Sequence, residues 1–223
     1  MNSKVYGQFC PVARSLDVIG DRWTLLIVRD LLLGTRRFKD LQASLVGIAP
    51  NLLSDRLRRL EEAGLVIRTF FKQLPPRVEY RLTDKGKSLD SVVKSLARFG
   101  MLNLMSPPTR RDVIAPETIF QAMPTVFVSS QAKGVDAVYE IKLKGPRGGT
   151  WFVHIAPDGC TVGSGASTEP DVVIETDVRT WVKLAVGAME PSDAESAGKL
   201  TASGDAKLAA RFVTFFDRGH GTL

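Results

Sequence analysis

The chain has 223 residues and a formal charge of +6, and that charge is uneven: residues 1–111 hold 20 Lys and Arg against 10 Asp and Glu, residues 112–223 hold 10 against 14. The length suffices for one large or two small domains, and a basic excess confined to one half is the footprint of a polyanion-binding domain joined to one with a different partner. Cys10 and Cys160 lie 150 positions apart and form no CxxC pair, so a disulfide framework and a structural zinc site are both unsupported.

Taken in chain order, residues 1–11 lack the apolar core of a signal peptide. The longest apolar runs, 23–28 and 31–33, are far short of a membrane span, so a cytoplasmic protein with no membrane insertion is expected. Residues 15–33 predict one helix, with Leu16, Ile19, Trp23, Ile27 and Leu31 on its apolar side, ended by Gly34. A short second helix follows at 38–45, broken by Gly47. From Pro50 to Gly64 the leucines at 53, 57 and 60 give a helix one buried stripe, with Pro50 suited to its first turn and Gly64 to its stop. Asn51, Ser54, Asp55 and Arg58 lie between those leucines and can donate to or accept from base edges, and Pro50 can touch a thymine methyl or sugar. Two β-rich runs, 66–71 and 78–82, flank a turn holding Pro75 and Pro76. A helix followed by a basic hairpin predicts a winged helix that places the helix in the major groove of double-stranded DNA. Lys72 and Arg77 on the wing, with Arg36, Arg37 and Lys39 at the second helix, are then candidates for phosphate contacts. An amphipathic helix and hairpin of an ordinary α+β domain is the alternative that pattern leaves open.

Thr83-Asp84 predicts the cap of a further helix carrying Leu89, Val92, Val93, Leu96, Phe99 and Leu102. That stripe is wide enough to face a second copy of the chain, or else it packs on its own domain. Residues 106–111 and Pro116 read as a linker, giving a DNA-binding and dimerisation domain at 1–106, a linker at 107–115 and a second domain at 116–223. In the second domain, strands are expected at 137–144, 151–155, 160–163, 172–176 and 199–203, and helices at 119–129, 177–186 and 205–217. The fold class is α+β: a winged helix-turn-helix, then an antiparallel sheet covered by helices.

Catalytic patterns are missing. Lys199 would need a glycine at 193 to complete a phosphate loop, and that position is Asp193. Residues 163–167 are glycine-rich but place no serine as a nucleophile elbow does, and read as a hairpin loop. His154 on a strand and His220 in a glycine-flanked tail have no second ligand at metal spacing. No enzyme activity, cofactor or metal is expected.

The string Cys10-Pro11-Val12, Leu16-Asp17-Val18-Ile19-Gly20-Asp21-Arg22-Trp23-Thr24, Arg37-Phe38-Lys39-Asp40-Leu41, Ile48 to Val66 and Tyr80-Arg81-Leu82-Thr83-Asp84-Lys85-Gly86 resembles the HxlR family of bacterial winged-helix transcription regulators. The resemblance implies a homodimer paired through its first and last helices. Ala49 departs from the Ser or Thr cap more usual in that family, and Asp21 from its usual glycine. Cys10 matches a cysteine that several such regulators use to sense electrophiles or oxidants; a small apolar residue at a dimer core is the alternative. Residues Trp151, Asp171-Val172-Val173-Ile174, Trp181, Leu184, Gly187, Ala197-Gly198-Lys199-Leu200, Gly204-Asp205, Leu208 and Phe212 resemble the SCP2-type sterol-carrier fold. That resemblance implies a pocket for an apolar small-molecule effector, with Phe120, Met123, Phe127, Trp151, Trp181, Phe212 and Phe216 as candidate lining. The rival function is a lipid-carrier or small-molecule-binding protein whose basic module serves anionic surfaces.

Overall fold

The computed structural model describes residues 5–72 and 74–219, so His220 lies outside the described residues. The chain divides into two compact units, 1–93 and 94–223. The division falls earlier than the proline-containing segment at 106–116.

The first unit opens with α1 (Pro11–Ile19) and α2 (Thr24–Leu32), two helices where one was expected. The break falls at Gly20: its N–H closes α1 on the Leu16 carbonyl at 2.9 Å, and a Cβ there would sit 2.5 Å from that oxygen. Two residues of strand, β1 (Arg36–Arg37), lead into α3 (Phe38–Ser44) and then α4 (Pro50–Glu62). The α4 leucines 53, 57 and 60 are fully buried and join Ile27, Val28 and Leu41 in one core. Helix α4 ends because Gly64 takes φ +69°, which lets Leu65 N–H reach the Leu60 carbonyl at 2.9 Å. The hairpin of β2 (Val66–Phe71) and β3 (Arg77–Leu82) is in register from Val66↔Leu82 to Phe71↔Arg77, and β1 adds to β3 to complete the sheet.

The helix expected from Thr83 onward is also two, α5 (Asp84–Lys87) and α6 (Asp90–Asn103). Thr83 caps α5 by accepting the Gly86 N–H, and its hydroxyl donates to the Gly64 carbonyl at 2.7 Å. The division between units falls within α6. Leu89 and Val93 pack on the first unit's core, whereas Val92, Leu96 and Phe99 are exposed.

The second unit begins with the rest of α6 and reaches α7 (Pro116–Ala122), which tightens into a 3₁₀ turn at Met123–Val126 where a continuous helix was expected. Its five-stranded sheet has the order β6-β5-β4-β7-β8. The strands are β4 (Ala137–Lys144), β5 (Gly149–Ala156), β6 (Gly159–Ser164), β7 (Val172–Asp177) and β8 (Leu200–Gly204). Helices α8 (Val178–Ala185), α9 (Pro191–Ser196) and α10 (Ala206–Arg211) fill the connections, and a 3₁₀ turn at Phe212–Phe215 follows. The sheet is mixed, not wholly antiparallel: β7 runs parallel to β4. A parallel neighbour requires a crossover instead of a hairpin. Residues 165–171 supply it, so the glycine-rich stretch at 163–167 ends β6 and starts the crossing. The Ser167 N–H donates to Glu140 Oε2 at 2.8 Å on the way, which explains why a glutamate is buried mid-sheet. On the opposite face Tyr139, Ile141, Val153, Ile155 and Val172 form the core with Phe120, Trp181 and Phe215.

Candidate nucleic-acid interface and cavity

With its leucines inward, α4 turns Pro50, Asn51, Ser54 and Arg58 to the surface, as the spacing requires. Ala49 occupies the cap position with no side-chain hydrogen bond, so Pro50 starts the helix alone. Asn51 Oδ1 accepts the Leu52 N–H at 2.9 Å.

Asp55 is more engaged than a free reader of bases. Its carboxylate lies 2.8 Å from Arg58, 2.9 Å from Arg59 and 3.0 Å from Arg56. The hydrogen bond from Arg58 outweighs partial desolvation and, with the Arg59 and Arg56 charges, holds the carboxyl below the usual aspartate value. Arg58 is held from the other side by Glu62, and both hydrogen bonds raise its pKa. Arg56, which the sequence reading passed over, has a side chain only 15% exposed and bridges Asp55 to Asp21 on the α1–α2 turn at 3.0 Å each. Asp21 thus ties the α1–α2 turn to α4. No periodicity signals such a pair.

The candidate phosphate-binding side chains differ in freedom. Lys39 and Lys72 are exposed, and Arg37 is exposed with Glu79 at 3.9 Å. Arg36 is half-buried, its Nε directed at the Asp30 carbonyl at 3.5 Å. Arg77 pairs with Glu79 at 2.8 Å and lies over the Phe71 ring at 4.4 Å, so it also braces the wing. Cys10 is half-buried at the cap of α1 with no side-chain cap bond.

The helix-turn-helix-and-wing geometry agrees with the family comparison, in which the HxlR-like helix-turn-helix model matches residues 18–107. YvaP of Bacillus subtilis (strain 168), an HTH-type transcriptional regulator, is 38% identical over 93 residues, covering 41% of this chain and 86% of YvaP. The chain belongs to the HxlR-like helix-turn-helix family. Another HxlR-like relative is sll1512 of Synechocystis, an HTH-type transcriptional regulator 35% identical over 94 residues, 42% of this chain and 70% of that protein. Among solved structures, a MarR-family regulator described as putative from Porphyromonas gingivalis W83 is 35% identical, covers 45% of this chain and 99% of its own, and has a TM-score of 0.43. The HxlR-like chain is therefore a transcriptional regulator with a DNA-binding helix-turn-helix, in a family of regulators and not of enzymes. Among the described residues no helix is long and apolar enough to cross a membrane.

A second family model, SCP-2 sterol transfer, matches residues 125–217 of this HxlR-like protein. There the structure holds a cavity of about 630 Å³, a size that suits a drug-sized molecule. Small residues on two elements are part of its lining: Ala202 and Ser203 on β8, and Ala206, Ala209 and Ala210 on α10. Of the aromatic and methionine residues expected to line a pocket, Met123, Trp181, Phe212 and Phe216 do so. Phe120, Phe127 and Trp151 are not among the lining residues. Phe120 is instead stacked between Trp151 and Trp181, with ring centroids 4.8 and 5.1 Å away, and Phe127 packs edge-on against Phe216. Aromaticity marked the core as well as the cavity, and the alanines that line it give no such signal. Met101, near the end of α6, also lines it. His154 Nε2 lies 2.6 Å from Asp136 Oδ1 on the sheet, away from the cavity lining. Burial pushes the Cys160 thiol up to about 12.

Proposed function

We propose that this protein is a homodimeric, sequence-specific, cytoplasmic DNA-binding regulator whose second unit binds an apolar small-molecule effector. The observation that carries the DNA assignment is the exposed surface of α4: Pro50, Asn51, Ser54 and Arg58, with half-buried Asp55 beside them, stand clear of its buried leucines. In a dimer, two such helices read half-sites about 34 Å apart, one turn of the duplex. Arg36, Arg37, Lys39, Lys72 and Arg77 contact phosphates and set register without reading sequence. Support for the dimer comes from apolar side chains left on α1 (Val12, Leu16) and on α6 (Val92, Leu96, Phe99), the latter at the i, i+4, i+7 spacing of one helical face. Support for the effector is the cavity and the match to the SCP-2 family. Domain roles follow: DNA binding and dimerisation before the 107–115 segment, effector binding beyond it.

Mobility-shift titration against upstream intergenic DNA tests this reading, with random duplex as competitor. Arg58→Ala should lower operator affinity roughly tenfold and relax selectivity at one base position. Arg77→Ala should weaken every sequence alike and reduce the salt slope by about one. Equal affinity of the unaltered protein for operator and random duplex at moderate salt would refute the regulator assignment.

A further inference from the structure

Three arginines share the carboxylate of Asp55, and they divide its two oxygens unequally. Oδ2 lies 2.9 Å from Arg59 Nε and 3.0 Å from Arg56 Nη1, whereas Oδ1 accepts from Arg58 Nη2 at 2.8 Å. The Oδ2 side is anchored. Arg56 is largely out of solvent, with its Nε shut off from water, and its Nη1 also reaches Asp21 Oδ2 at 3.0 Å on the α1–α2 turn. The Asp55 carboxylate is therefore held against a second element of the winged unit, and not by α4 alone.

The Oδ1 side is turned to the surface. Arg58 bridges Asp55 and Glu62, and the Arg58 and Glu62 side chains are 58% and 59% exposed. Giving Glu62 back to water costs little, because an ion pair between two exposed side chains contributes little. Asp55, gripped on Oδ2, is the partner that stays. It occupies one N–H of a guanidinium that has five, which leaves enough for a guanine edge. A side chain already held in one direction also loses less freedom on binding than one that swings. As a reader of bases Asp55 itself is badly placed, since an amine of cytosine would compete with all three arginines for its oxygens.

We propose that Asp55 is a positioning residue: it reads no base itself but aims Arg58 at the base that Arg58 reads, and Asp21 steadies it through Arg56. The proposal rests on the reading of α4 as the groove helix and adds two carboxylates to what sets its selectivity.

Mobility shifts with the full chain test this, on the operator duplex and on duplexes with each of its base pairs changed in turn. Asp55→Asn is the deciding change, because an amide has one acceptor oxygen and cannot serve Arg58 and the Arg56–Arg59 side together. It should lower the preference at one base pair by about threefold or more, at the same pair that Arg58→Ala relaxes. Affinity for random duplex should not fall, since a negative charge leaves a face that meets phosphates, whereas a merely structural lesion would lower it. With both changes together, the preference at that pair should equal that of Arg58→Ala alone. Asp21→Asn should relax the same pair to a smaller extent, and it carries the test if Asp55→Asn does not fold. Relaxation at a different pair would make Asp55 a reader in its own right and overturn the proposal. So would unaltered selectivity in either aspartate variant, additive effects in the double variant, or a loss spread evenly over all duplexes. If Arg58→Ala relaxes no position, the proposal falls while the regulator reading stands. Equal binding of operator and random duplex by the unaltered protein removes both.

Discussion

At position 177 one carboxylate turns a strand into a helix. Asp177 closes β7, and its Oδ1 accepts the N–H groups of Arg179 at 2.9 Å and Thr180 at 3.0 Å, while the Thr180 hydroxyl donates to Oδ2. Burial pushes its pKa up, but the Thr180 hydroxyl and the two backbone amides pull harder, so the net value lies below 3.8. A depressed carboxyl stabilises the fold above its unfolded pKa, and that contribution disappears as pH falls through the lower folded value. Asp177→Ala should therefore lose about 1 kcal/mol at pH 7 in urea unfolding. The gap to the unaltered protein should shrink as pH drops below about 4. A gap that stayed constant down through that range would show that the charge of the cap is not used. The same residue-by-residue economy accounts for Asp21, whose pair with Arg56 fixes the α1–α2 turn to α4. Neither partner announces itself in sequence, because ion pairs have no period.

Among the elements, the short α5 joins several parts of the winged unit. Thr83 donates to the Gly64 carbonyl, Lys85 Nζ reaches the Ala63 carbonyl at 2.8 Å, and Gly86 backs onto Leu65. The end of α4, the wing and the approach to α6 are clasped at one point. A Cβ on Gly86 would fall 2.1 Å from the Leu65 carbonyl oxygen, which is backbone and cannot step aside cheaply. Gly86→Ala should cost about 1–3 kcal/mol, the usual range for overpacking. Thermal unfolding checks this, and an unchanged midpoint would show that the clasp yields. Helix α4 was legible in the sequence because its three leucines state both period and face, and β2 because its six residues are β-rich and bounded. The two helix breaks were not legible, because apolar spacing runs on through Gly20 and through Ser88 while local geometry stops the chain. Helix α9 was missed for the opposite reason: only Ala194 of its six residues is buried, so it has no stripe to read. Strand direction was equally invisible, since Val172–Asp177 alternates the same way whether it runs parallel or antiparallel to β4.

For the whole molecule, the proposed dimer is tested by how many copies act together. Phe99 on α6 is 56% exposed and contributes little to its own chain, so Phe99→Glu should leave the fold intact by circular dichroism. Light scattering should then report the monomer, and operator affinity should fall steeply, because each half-site alone supplies only part of the contacts. A dimer that persists with unaltered affinity would place the pairing surface elsewhere. The cavity shows what composition conceals at this scale. Large aromatic residues suggested a pocket, yet Ala202, Ala206, Ala209 and Ala210 line it as well. The parallel β4–β7 pairing carries one more consequence, for the order in which the chain becomes competent. The winged sheet can close once residue 82 has emerged from the ribosome, since its widest pairing joins Arg36 to Tyr80. The second unit must wait for β7 and β8, and for the Phe127↔Phe216 bridge that joins its two ends. At about 5–20 residues per second, the roughly 130 residues between those events occupy about 7–26 s of synthesis. On every ribosome the DNA-reading unit is complete before the unit that would govern it has closed.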